Sequence, residues 1–296
     1  VFQWLKRNAL PVWNRAHHYG RLGLLYENAV RQKRFESCAV CEHFRPMLYH
    51  PRIIPDRLVE LWGLTPELTR SFARKESCFC SYCGANLRAR RLAQVMLWLW
   101  PVGKPATPSR SLATWLKRPE RQSLRIAEIN RIDGLHQQLA GRPNVSTSDF
   151  HPGAARGALN NGVRSEDLMN LTYPDQSFDI VLTSETLEHV PDLPRALSEI
   201  RRVLVPGGRH VFTVPQLPHV PRTFARSLVM PDGSIQDVHP PICHPGGDLG
   251  YPVFTEFGTD LDEVMERAGY EIQTFFGPNR VDDVAQVYVA RKVSDG

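Results

Sequence analysis

Apolar side chains recur at helical spacing between Gly20 and Arg34: Leu22, Leu25, Tyr26, Ala29 and Val30 share one face, and Arg21, Glu27, Arg31 and Lys33 lie elsewhere. The pattern predicts an amphipathic basic helix. A second helix is predicted from Leu87, with Leu92, Val95, Met96, Leu99 and Trp100 as its apolar stripe, Arg88, Arg90 and Arg91 near its start, and Pro101 as its stop. From Leu124 onward short apolar runs alternate with helical stretches, the pattern of a parallel sheet wound with helices. The runs are Leu124 to Ile129, Asn144 to Ser148, Phe178 to Thr183, Arg209 to Val214, Glu271 to Phe276 and Val284 to Ala290, with helices over Gly134 to Ala140, Pro194 to Val203 and Asp260 to Ala268. Gly277, Pro278 and Asn279 leave no room for a helix between the last two runs, so that pair is predicted antiparallel.

Between Pro215 and Pro252 lie eight prolines and three histidines, a density too irregular for regular elements. A long loop at the carboxyl end of a strand is where such sheets bind ligands, so 215–252 is a candidate lid over the site. Gly103 to Arg110, with Pro105 and Pro108, is the most linker-like stretch. The expected organisation is a basic segment over 1–37, a cysteine module with its helix over 38–102, a linker over 103–123, and an α/β domain over 124–293.

Composition narrows the class. With 42% hydrophobic and 23% charged residues in 296, the chain can bury a sizeable core, which excludes disorder and coiled coil. Residues 1–37 hold seven Lys and Arg against two Glu, so they carry the whole net charge of +5 and the remainder is neutral. A neutral body argues against a large nucleic-acid footprint and leaves contact of 1–37 with an anionic membrane surface or an acidic partner open. The longest apolar run, Val95 to Val102, falls short of the roughly 20 residues of a membrane span. No secretory signal is visible, and a cytoplasmic protein is expected.

Five of the six cysteines fall between Cys38 and Cys83. Cys38-x-x-Cys41 and Cys80-x-x-Cys83-Gly84 are two knuckles that together supply four soft ligands, the set a structural zinc needs. Cys78 is a spare that could substitute as a ligand, and Cys243 is expected to be a small buried apolar side chain.

Three motifs follow in order: Asp167 through Pro174-Asp175-Gln-Ser-Phe-Asp179, then Leu187-Glu-His-Val190, then Arg202-Val-Leu-Val-Pro-Gly-Gly208. With these, the stretch Leu124 to Arg291 resembles a class I S-adenosylmethionine-dependent methyltransferase of the small type, with a Rossmann-like seven-stranded sheet. The resemblance implies that Asp149, past the second strand, accepts the ribose hydroxyls of the cofactor. It also implies that Asp167 and Leu168 read the adenine, that Glu128 helps hold the methionine end, and that Asn130, Gly134 and Ser184 line the same site. The family's Glu-x-Gly-x-Gly-x-Gly motif is departed from: Asn130 and Ile132 stand at the first two glycine positions and only Gly134 is kept. The layout of a four-cysteine module ahead of such a domain resembles a bacterial group of these enzymes.

Methyl transfer to a hydroxyl or amine needs a base beside the acceptor. His189 and Glu185, after the fourth strand, and His244 in the lid are the candidates, with His239 also in the lid. The expected activity is methyl transfer from S-adenosylmethionine to a small-molecule or glycan-type acceptor, with structural zinc. Two rivals are an RNA methyltransferase that grips RNA through the zinc module with Arg88, Arg90 and Arg91, and a non-catalytic zinc-organised scaffold.

Overall fold

The computed structural model describes residues 12–101, 109–230, 232–244, 250–277 and 283–293, with side chains from Leu22 onward. The start of the basic segment, Gly103 to Pro108 of the linker, five lid residues after His244 and the Pro278–Asn279 joint lie outside the described residues. The chain divides into two units: Val1–Arg121 with Asp133–Leu139 and Phe276–Gln286, and Gln122–Ile132 with Ala140–Phe275 and Val287–Gly296. Among the described residues no helix is long and apolar enough to cross a membrane.

In the first unit, helix α1 (Val12–Arg31) begins earlier than the pattern predicted and ends at Arg31, where Lys33 takes a left-handed φ of 51°. It packs on β2, yet of its predicted apolar face only Ala29 is fully buried, while Tyr26 and Val30 are exposed. Strands β1 (Phe35–Ser37), β2 (Phe44–Leu48) and β3 (Phe79–Cys80) form a small antiparallel sheet in that order. Between β2 and β3 lie α2 (Asp56–Leu61) and α3 (Pro66–Ser77). The Thr65 side chain accepts the Leu68 amide and Pro66 sits in the first turn, so α3 is started by its cap. Helix α4 (Leu87–Leu99) is capped by Asn86, which accepts the Ala89 amide, and buries Leu92, Val95 and Met96 of its predicted stripe. After it, α5 (Leu112–Trp115) places Trp115, whose indole N–H donates to the Trp100 carbonyl at 2.9 Å. Helix α6 (Asp133–Leu139) completes this unit.

In the second unit the chain forms β4 (Ile126–Ile129), β5 (Val145–Asp149), β6 (Leu159–Asn160), β7 (Val163–Ser165) and β8 (Phe178–Ser184). Helix α7 (Leu193–Val203) and β9 (Leu204–Thr213) follow. Pro206-Gly207-Gly208 of the third motif lies inside this strand, and its register with β8 slips between Phe178 and Ile180. The candidate lid is more regular than its prolines suggested. It contains β10 (Phe224–Ala225), β11 (Ser227–Val229), β12 (Ile235–Asp237), β13 (Cys243–His244) and β14 (Tyr251–Pro252), followed by β15 (Thr255–Glu256). These pair β10 with β15, β11 with β12, and β13 with β14, all antiparallel. Helix α8 (Leu261–Arg267), β16 (Tyr270–Phe275) and β17 (Val287–Lys292) close the unit.

The main sheet has the order β16-β17-β9-β8-β4-β5-β7-β6. Strands β9, β8, β4, β5 and β7 are parallel, and β17 and β16 are antiparallel at one edge, as the tight joint before β17 predicted. The expected seven strands are present, and the two-residue β6 adds an eighth at the other edge. Asp192 caps α7 by accepting the Arg195 amide, and the helix lays Ala196, Leu197, Ile200 and Val203 into the core with Phe178, Val181, Phe212 and Tyr288. Each large aliphatic side chain so buried contributes about 1.5–3 kcal/mol. The result is an open, mostly parallel α/β sheet whose strand ends carry the site.

Candidate functional site

The two cysteine knuckles share one backbone geometry. The Glu42 amide donates to the Cys38 carbonyl at 2.8 Å and the Gly84 amide to the Cys80 carbonyl at 2.9 Å, closing equivalent turns. Both closing residues are left-handed, Glu42 with φ 69° and Gly84 with φ 75°. Glycine takes that conformation without cost; Glu42 is held there with its carboxylate bonded by the Ser111 hydroxyl at 3.0 Å and by Thr114.

These turns aim all four sulfurs at one point. Cys38, Cys41, Cys80 and Cys83 are buried, with Sγ separations of 3.7 Å for Cys38–Cys83 and 3.9 Å for Cys41–Cys80. Four thiolates around a tetrahedral zinc at about 2.3 Å lie roughly 3.8 Å apart, so the tetrad has the dimensions of that site. Hydrogen bonds from Cys41 and Cys83 draw the Cys38 thiol down to about 7, and bonds from Cys38 and Cys41 lower Cys80. The same mutual bonds push Cys41 and Cys83 up. Four buried thiols this strongly tied to one another form a donor set that a dication would hold as thiolates.

Cys78 stands apart from the tetrad. Its sulfur lies 3.6 Å from an Arg90 nitrogen, and burial pushes its thiol up. Cys243 is exposed, contrary to the expectation of a buried apolar side chain, because β13 is a short hairpin strand with little packed over it. The three arginines at the start of α4 are each paired: Arg88 with Glu76 and Asp133, Arg90 with Glu36 at 2.6 Å, and Arg91 with Asp283 at 2.6 Å. Gly134 meets the second knuckle directly. A Cβ built there would collide with the Cys83 carbonyl and the Ala85 amide nitrogen, so α6 approaches the knuckle as closely as it does only because residue 134 has no side chain.

At the carboxyl ends of the parallel strands the chain brings several of the expected cofactor residues together. Asn130, just past β4, is left-handed with φ 60°, the conformation a glycine would supply at that point of the motif. Its amide donates to the Ser148 carbonyl at 2.8 Å and its side-chain oxygen accepts the Phe150 amide at 3.0 Å, joining the β4 and β5 ends. Glu128 is wholly buried; one carboxylate oxygen accepts the Ile132 amide at 3.0 Å and the other the Thr147 hydroxyl at 3.1 Å. Glu128 therefore braces the degenerate loop from within, with Ile132 packed in the core.

Asp149 ends β5, half-buried, with Arg131 donating to both of its oxygens. Asp167 follows β7; its carboxylate accepts the Met169 amide at 2.9 Å, and Leu168 turns into the core. Ser184 ends β8 with its hydroxyl 2.8 Å from that of Thr213. Two half-buried carboxylates on neighbouring strand ends, beside a left-handed loop, form an arrangement that suits a ligand with a diol and an amino-bearing ring.

The proton-handling candidates beyond β8 fall in three places. Glu185 is left-handed, φ 48°, with its amide donating to the Thr213 carbonyl at 3.0 Å. Burial, helped by the Glu185 charge, pushes the nearby Tyr288 hydroxyl up. His189 and His244 meet edge to face, with ring centroids 5.0 Å apart, around Glu188. His239 lies elsewhere, against Phe224 at 4.9 Å. Glu188 was not singled out as a site residue from the sequence. Its adjacency to His189 was visible there, but only the β13–β14 hairpin brings His244 to it.

The strand order, with its antiparallel edge pair and its carboxylates at the parallel strand ends, defines the second unit as an open, Rossmann-like α/β domain. Residues 134–212 match the family model described as a methyltransferase domain. Curated relatives match over short stretches. The chain is 51% identical over 43 residues to 27-O-demethylrifamycin SV methyltransferase of Amycolatopsis mediterranei, covering 14% of this chain and 16% of that protein. It is 26% identical over 117 residues to 2-phytyl-1,4-naphtoquinone methyltransferase of Nostoc punctiforme, covering 37% of this chain and 49% of that one. The matches thus span less than half of these relatives' own lengths. A solved S-adenosylmethionine-dependent methyltransferase from Mesorhizobium loti superposes with a TM-score of 0.38 at 20% identity, over 61% of this chain and 98% of that one.

Proposed function

We propose that this protein transfers a methyl group from S-adenosylmethionine to a small-molecule or sugar-type acceptor, with a structural zinc held by Cys38, Cys41, Cys80 and Cys83. The observation that carries the reading is the pairing of Asp149 and Asp167 at the carboxyl ends of adjacent parallel strands in a methyltransferase domain. Bound at that edge, S-adenosylmethionine supplies a methyl group activated on a sulfonium.

Asp149 then accepts the ribose hydroxyls, and Arg131 must yield part of its hold on the carboxylate for this to happen. Arg131 is 47% exposed, so its guanidinium can swing into solvent. Asp167, with the Leu168 amide, reads the adenine edge, while Glu128 keeps the β4 loop in shape. On the acceptor side Glu185, His189 and His244 stand beyond β8 as the groups that handle the acceptor's proton. The neutral charge of residues 38–296 and the paired state of Arg88, Arg90 and Arg91 favour a small acceptor over RNA. The names of the rifamycin and naphtoquinone methyltransferase relatives point to the same class.

Calorimetric titration of the full chain with S-adenosylmethionine tests the reading first, followed by turnover assays over phenolic, quinone-type and amino-sugar acceptors. Micromolar binding is expected, and absence of binding would leave the zinc-organised scaffold as the function.

A further inference from the structure

Glu188 is fully buried in the 3-10 turn Leu187–His189 that follows β8, and two imidazoles from different segments converge on it. His189 Nδ1 lies 2.7 Å from the Pro252 carbonyl. A carbonyl oxygen can only accept, so Nδ1 carries the proton and Nε2 is left to face Glu188 Oε1, 3.6 Å away. From β13, His244 brings its Nδ1 to 3.9 Å from the same oxygen. The three donor atoms all lie within 4.8 Å of one another. Two imidazole nitrogens and a buried carboxylate oxygen converging from two segments form a compact N,N,O donor set of the kind that first-row divalent ions take.

We propose that Glu188, His189 and His244 form a second metal centre, separate from the cysteine tetrad, that takes a divalent first-row transition ion, zinc being the best match. Two imidazoles with one carboxylate select such an ion over magnesium or calcium, which require oxygen ligands almost throughout. Bonds of about 2.0–2.2 Å put ligand atoms roughly 3.3–3.5 Å apart, so the two imidazoles need draw in by a few tenths of an ångström toward Glu188, from 3.6 and 3.9 Å, and closer to each other from within 4.8 Å. The His189–Pro252 bond is the supporting contact that metal-bound histidines use to fix ring and tautomer.

The backbone holds the ligands in place as well. The Phe254 amide donates to the Glu188 carbonyl at 2.7 Å and the Val253 amide to the Ile242 carbonyl at 2.9 Å, tying the β13–β14 hairpin to the turn that carries Glu188 and His189. Three protein ligands leave a coordination position open, which accepts an oxygen donor such as water or an acceptor hydroxyl and makes it more acidic. With the ion bound, His189 and His244 hold it, and of the three groups named for the acceptor's proton Glu185 alone keeps that part. This use of the ion rests on the methyl-transfer reading; its binding does not.

The test uses the full chain with the tetrad loaded, dialysed against a weak chelator and titrated with Zn2+ by calorimetry and with Co2+ by absorption. One further equivalent is expected, and Co2+ in it should give weak visible d–d bands without the intense sulfur-to-cobalt absorption of a thiolate site. His244→Ala and His189→Gln should each weaken that equivalent by roughly tenfold or more while keeping the wild-type circular dichroism and tetrad metal. Cys243→Ser should leave it unchanged, which separates the site from an adventitious thiol. No further equivalent with either ion in excess, or one retained undiminished in both histidine variants, overturns the proposal. S-adenosylmethionine titrations on the same samples report separately on the methyl-transfer reading.

Discussion

Arg131 grips Asp149 at two points: its backbone amide donates to Oδ1 at 3.0 Å and its Nε–H to Oδ2 at 2.6 Å. The carboxylate proposed for the ribose is therefore held by a partly exposed cation, and cofactor and guanidinium compete for one oxygen. Asp149→Ala removes the acceptor for two charge-assisted bonds, each worth about 1.5–3 kcal/mol, so S-adenosylmethionine affinity should fall tenfold or more. Arg131→Ala should instead raise affinity, since the competitor goes and the acceptor stays. Calorimetry on both variants checks the pair, and equal losses would mean that Arg131 itself binds the cofactor.

Gly134→Ala places a methyl group against knuckle backbone that cannot step aside as a side chain would. Overpacking of this kind costs about 1–3 kcal/mol, so the melting temperature should drop by several degrees. In the folded fraction S-adenosylmethionine affinity should stay within a few-fold of wild type. A large loss of affinity at unchanged stability would return Gly134 to the cofactor.

If the tetrad holds zinc as proposed, Cys80→Ser should release it and lower the melting temperature sharply, since binding of such a metal is coupled to folding. Cys78→Ser should leave that metal in place, since its sulfur sits beside Arg90 rather than in the tetrad. Metal analysis of the two variants side by side decides which cysteines are ligands.

His210 is buried in β9, hydrogen-bonded to Thr183 at 2.8 Å, and burial holds its pKa down to about 3 against an ordinary 6.5. Between these values the unfolded chain binds a proton that the folded chain does not, so stability falls as pH drops from about 6.5 toward 3. The contribution is fully present above 6.5. Denaturant titrations across that window should show the fall, and His210→Gln should flatten it.

Much of the main sheet was legible because β4, β8, the Val211-Phe212 end of β9 and β17 are apolar runs buried in the core, and α7 writes its core face at helical spacing. Strand β7 was missed because three residues, Val163–Ser165, are too few to show a period. The α3 helix was missed because its interior is largely polar; Thr65-Pro66-Glu67 marks its start, but no broad apolar stripe follows. The tetrad was readable since each knuckle is local in sequence. The Glu188 cluster was not, because His244 reaches it only through hairpin pairing far along the chain.

The first unit draws on three separate stretches, two of them, Asp133–Leu139 and Phe276–Gln286, lying between segments of the second unit. A single cut near residue 122 would strand both stretches on the wrong side. Neither unit can then be excised whole, and recombination cannot exchange one as a cassette while leaving the other intact. Because their segments alternate along the chain, the cysteine unit and the unit of the main sheet are expected to be inherited together and to vary in concert.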